Sequence, residues 1–143
     1  MPPAIKKPTI PFLIASATVA FLTVIGVALY KYATDSPYRI SSEEAKRRLS
    51  AKEIDVVLDV RTDSERKTLG MYPGSLHIQS ADLPTEAPKQ LPNKKARILA
   101  YCNTGHRARM ATDKLHEMGY KNAVYISGQH TSLVDASGNK MNL

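Results

Sequence analysis

The stretch Arg97-Ile98-Leu99-Ala100-Tyr101-Cys102-Asn103-Thr104-Gly105-His106-Arg107-Ala108 decides the fold. Its first five residues read as a strand, apolar from Ile98 to Tyr101. Beyond it Ala108, Ala111, Leu115 and Met118 recur at helical spacing until Gly119 ends the helix. Between strand and helix lies Cys102-Asn103-Thr104-Gly105-His106-Arg107. A loop of this length with a central glycine can turn successive backbone N–H groups into one concavity. The helix that follows adds the positive end of its dipole at the same point. A sulfur there is favoured as a thiolate nucleophile, with Arg107, and Arg109 or Arg61, as the neighbouring cations.

Working outward, Asp55-Val56-Val57-Leu58-Asp59-Val60 is a second buried strand, with Arg61 leaving its carboxyl end. Leu76-His77-Ile78 and Ala123-Val124-Tyr125-Ile126 supply two more. Ser41 with Glu44 reads as a capping box opening a helix that runs to Ala51, with Ile40 as its hydrophobic staple. Thr62 to Leu69 is charged and weakly helical, and Pro84, Pro88 and Pro92 predict loop or broken helix over Ala81 to Lys95. Alternating strands and helices define an α/β domain, a parallel sheet with helices on both faces. Ligands bind such sheets outside the carboxyl ends of the strands, where Arg61 and Cys102 both fall.

The amino-terminal part has a different composition. From Thr9 to Tyr30 no residue is charged, and at roughly 1.5 Å per residue that run predicts one transmembrane helix across a core of about 30 Å. It is too long for the apolar part of a signal peptide, and Tyr30-Lys31-Tyr32-Ala33-Thr34-Asp35 is a poor cleavage site. The expected organisation is a tail at 1–8, a single-pass membrane helix at 9–30, a linker at 31–37, the α/β domain at 38–135 and a tail at 136–143. Lys6 and Lys7 before the span nearly balance the basic residues after it, with a small bias to a cytoplasmic amino terminus.

The net charge is +7, and +5 without Lys6 and Lys7. That excess suits a small anionic substrate or an anionic surface. No basic run is interleaved with aromatics, which sets nucleic acid aside. A single cysteine excludes an intramolecular disulfide, a multi-cysteine zinc site and a dithiol pair. The four histidines show no metal-ligand spacing, so no metal is expected, and His77, His116 and His130 read as surface or packing residues. His106 faces either ligand or solvent. Met110 and Met118 read as core filler. Arg61 suits a structural pairing with Asp59 near the site as well as substrate binding.

Ring size separates two thiolate chemistries. The phosphate loop of cysteine phosphatases has five residues between Cys and Arg; here four separate Cys102 from Arg107. The chain from Tyr38 to Val134 resembles a single-domain rhodanese, a thiosulfate-type sulfurtransferase. The resemblance is carried by Ile40-Ser41 with Glu44-Ala45, Asp59-Val60-Arg61, Gly70 with Pro73-Gly74 and Ile78, and Tyr101 to Ala108. It implies that Cys102 takes sulfane sulfur from a small anionic donor such as thiosulfate, holds it as a persulfide and passes it to a thiol or cyanide acceptor. Asn103, Thr104, Gly105, His106, Arg107 and Arg61 would bind substrate, and no cofactor is needed; protein partners are not specified. The other readings are a non-catalytic binding module of this fold at a membrane, and a cysteine phosphatase or arsenate reductase.

Several residues depart from the family pattern. Gly70-Met71-Tyr72-Pro73-Gly74 stands where Gly-His-Ile-Pro-Gly is usual, and the spacing from Arg61 to Gly70 is one residue longer than usual. Glu65-Arg66 replaces a glutamate–aromatic pair, Gly128-Gln129 stands for Gly-Gly, and the tryptophan often found after it is absent. These departures bear on the pocket wall and substrate preference.

Overall fold

The computed structural model describes residues 10–34 and 36–139. The chain divides into two compact units, Met1–Ser36 and Pro37–Leu143. In the first, helix α1 spans Ile10–Thr34, with apolar side chains such as Ile14, Val19, Phe21 and Leu22 exposed. Thr18 and Thr23 return their hydroxyls to the carbonyls of Ile14 and Val19. The expected membrane span is corrected here: among the described residues no helix is long and apolar enough to cross a membrane. Single-pass membrane localisation and its orientation fall with it. Thr9, Lys6 and Lys7, and with them the tail at 1–8, lie outside the described residues, as does the end of the 136–143 tail.

The second unit carries α2 (Ser42–Ser50), β1 (Val56–Asp59), α3 (Asp63–Leu69), β2 (Leu76–His77), α4 (Leu83–Gln90), β3 (Ile98–Tyr101), α5 (His106–Glu117), β4 (Ala123–Tyr125) and a closing 3-10 turn, His130–Leu133. The four strands form one sheet in the order β2-β1-β3-β4, and each neighbouring pair is parallel. All four expected strands are present.

Strand alternation sorts the core into two clusters. Leu58, Ile98 and Ala100 pack with Leu83 and Ala87 of α4 and Ala108, Ala111 and Leu115 of α5. Val57, Leu99 and Tyr101 face the opposite way and pack with Ala45 of α2, Tyr72, Ile126 and Leu133. Both faces are therefore covered, which is why β3 is buried at every residue.

Three local expectations need adjusting. Ser41 caps α2 through the N–H of Glu44 at 3.1 Å, but the Glu44 carboxylate turns to Arg47 and Arg48 instead of closing the box. Residues 83–90 form a helix despite two prolines. Pro84 sits in the first turn, where no N–H is required, and only Pro88 interrupts the ladder. Met110 is 56% exposed, so it is not core filler, whereas Met118 packs at the core's edge.

Candidate active site

Cys102 and Arg61 leave the carboxyl ends of adjacent strands, β3 and β1, and both are buried. The Cys102 sulfur accepts the Gly105 N–H at 3.0 Å, so the loop curls back on its own thiol. Gly105 makes that curl at φ 92°, a left-handed conformation, and caps α5. A Cβ there would lie 2.6 Å from the Ser127 Cα, so glycine also admits the segment after β4. Thr104 and His106 are exposed, while Asn103 and Arg107 are partly covered.

Arg107 is not left open as an anion ligand. Its guanidinium donates through both terminal nitrogens to the Glu65 carboxylate, at 2.7 and 2.6 Å. Asn103 donates to the same carboxylate at 2.7 Å, and so do the Thr62 N–H and hydroxyl at 2.9 Å. Glu65 thus ties α3 to both ends of the cysteine loop. The Arg107 bonds, helped by the Thr62 N–H, hold its carboxyl down to about 2. Its importance was open to sequence reasoning, because Thr62-x-x-Glu65 is itself a capping box.

Beneath the loop lies a second network. The Asp59 carboxylate accepts Arg61 Nε at 2.9 Å and a terminal Arg61 nitrogen at 2.7 Å, along with the Tyr101 hydroxyl at 2.7 Å. Burial pushes the Asp59 carboxyl up, but its bonds from Arg61 and Tyr101 outweigh that, and the net direction is down. Arg61 also donates to the Gly70 carbonyl at 2.7 Å and reaches the Asn103 side-chain oxygen at 3.4 Å. The pairing with Asp59 expected for Arg61 is present. Tyr101 accepts the Tyr72 N–H at 3.1 Å, and its hydroxyl is raised by burial. Buried His130 stands beside the Tyr101 ring, and burial, with Arg61 nearby, lowers it. His77 and His116 each contact a backbone carbonyl, of Arg61 and Ala123. Among the described residues no group of three or more His, Cys, Asp or Glu is placed to hold a metal ion.

Glu65→Gln is expected to loosen the loop. Because the folded carboxyl is held below its unfolded value near 4.5, the tie is complete above that value and is lost as pH falls toward about 2. Acid unfolding curves of wild type and Glu65→Gln should therefore diverge at neutral pH and converge through that window. Coincident curves at neutral pH would show that Glu65 contributes nothing there.

A thiol curled into a strand-to-helix loop, at the carboxyl edge of a parallel sheet, defines the class of site. Residues 41–131 match the model of the rhodanese-like domain, more than half of the chain, and the chain belongs to that family. Solved structures share the fold. A thiosulfate sulfurtransferase from Pseudomonas aeruginosa is 20% identical, with a TM-score of 0.55 over 70% of this chain and 19% of that one; this chain spans only a fraction of that protein's length. A human single-domain sulfurtransferase is 21% identical, with a TM-score of 0.57 over 71% of this chain and 98% of that one. A Rhodopseudomonas palustris protein of unknown function, described as a possible tyrosine phosphatase, is 21% identical with a TM-score of 0.60 over 99% of both chains. No curated protein matches the sequence.

Proposed function

We propose that this protein is a sulfurtransferase that carries sulfane sulfur as a persulfide on Cys102. The observation that carries the reading is the Gly105 N–H directed at the buried Cys102 sulfur at 3.0 Å, inside a loop braced by Glu65. With thiosulfate, the Cys102 thiolate attacks the outer sulfur. A new S–S bond forms, the donor's S–S bond breaks, and its electron pair leaves with sulfite, so that one thiolate and one thiosulfate give one persulfide anion and one sulfite. A thiol or cyanide acceptor then removes the outer sulfur and regenerates the thiolate. Splitting the transfer into two displacements lowers each barrier, and the loop N–H groups stabilise charge on the carried sulfur. Asn103, Thr104, Gly105 and His106 form the cradle in this reading; Arg107 and Arg61 shape it, through Glu65 and Asp59.

Phosphoryl transfer has less support. The ring to Arg107 is one residue short, and Arg107 is committed to Glu65 in a two-pronged pair. The test is intact mass after exposure to thiosulfate. Cys102 should gain one sulfur atom, lose it on adding cyanide with release of thiocyanate, and gain none after prior alkylation. No mass gain and no thiocyanate would refute the proposal.

A further inference from the structure

Two departures from the family pattern meet in space. Arg66 stands where an aromatic residue is usual and Met71 where a histidine is usual, and a terminal nitrogen of Arg66 donates to the Met71 sulfur at 2.8 Å. The Arg66 Nε is 3.3 Å from the Asp59 carboxylate, yet it is buried without a hydrogen-bond partner. Both Asp59 oxygens are already occupied by Arg61, one of them also by Tyr101. Two guanidiniums, Arg61 and Arg66, therefore face one carboxylate, and a positive charge is left over. A thioether is a weak acceptor and carries no charge to balance it.

The surplus is linked to the cysteine loop through these groups. Arg66 follows Glu65, whose carboxylate holds Asn103 and Arg107, and Asp59 connects it through Arg61 to Asn103, the neighbour of Cys102. Of these three arginines, Arg107 is matched by Glu65 and Arg61 by Asp59. Arg66 retains 17% of its side-chain exposure, and Met71, its other partner, is 44% exposed.

We infer that Arg66 is the specificity-determining cation of this site, binding the oxyanion end of the sulfur donor in exchange for the Met71 sulfur. The inference rests on the sulfurtransferase reading and adds to it the residue that holds the sulfonate-type end of a thiosulfate-like donor. A charge-assisted bond to an oxyanion is stronger than one to a neutral thioether, so the exchange favours bound donor.

The test uses the full chain. Arg66→Gln should raise KM for thiosulfate about tenfold or more and leave kcat within about twofold, because the group binds donor without touching the transferred sulfur. Arg66→Lys should recover most of the loss, since it restores charge without the planar fork. An unchanged KM, a fall confined to kcat, or a Lys variant no better than Gln would overturn the assignment. Calorimetric binding of thiosulfate to the Cys102→Ser protein, with and without Arg66→Gln, reads the same site with no turnover, and a tenfold weaker Kd is expected. Equal affinities would sink the inference while leaving Cys102 sulfur loading intact. Failure to load sulfur onto wild-type Cys102 with Arg66-dependent binding preserved would sink the transferase reading instead.

Discussion

Gly105→Ala is expected to remove most sulfur transfer and to destabilise the domain by about 3 kcal/mol or more. Two costs add at one residue. The φ of 92° at Gly105 lies where a side chain is strained, at about 1–2 kcal/mol. The new Cβ would stand 2.6 Å from the Ser127 Cα, a backbone atom that cannot swing aside as a side chain can. Relieving either cost moves the Gly105 N–H away from the Cys102 sulfur it now meets at 3.0 Å, or pushes the segment after β4 off the loop. A pre-aimed donor of this kind contributes about 10²–10³-fold in rate. Thermal unfolding and thiocyanate production measured on the same preparation check both halves. A variant with wild-type turnover would show that the loop's curl is not what makes Cys102 competent.

Why so much of this was visible in the sequence, and the rest was not, comes down to the range of the interactions. The four strands are short apolar runs and Cys102–Arg107 is contiguous, so the sheet and the loop are local signals. The Arg61–Asp59 pair is two residues apart and was equally legible. By contrast, Arg107 and Glu65 meet across 42 positions, and nothing in the loop itself announces that its arginine is taken. The neighbouring capping box at Thr62 places Glu65 in the first turn of α3, but only the sheet order, with β1 beside β3, brings that turn to the loop. Prolines misled over Ala81 to Lys95 because a residue's cost depends on its place in a helix. Arg66 and Met71 looked like two separate losses of pattern; their contact makes them one feature.

Asp59→Ala should cost about 3–5 kcal/mol, the range for breaking a fully buried ion pair, a large part of the about 5–15 kcal/mol that holds a small domain folded. Both partners are wholly buried, so Arg61 would be left charged without its counterion, with Arg66 beside it and no carboxylate between them. The companion variant Asp59→Leu/Arg61→Met removes both charges and should recover much of the lost stability, since replacing a buried pair with apolar residues is often neutral. Its activity should not recover. Arg61 also holds the Gly70 carbonyl at 2.7 Å and reaches Asn103 at 3.4 Å, and the Asp59 oxygen receives the Tyr101 hydroxyl that in turn anchors the Tyr72 N–H. Without these bonds the Gly70–Tyr72 turn and the cysteine loop lose their common support. Denaturant unfolding separates the two variants by stability, and sulfur loading of Cys102 compares them by function. A double variant that is both stable and fully active would reduce the Asp59–Arg61 pair to a packing element with no part in shaping the site.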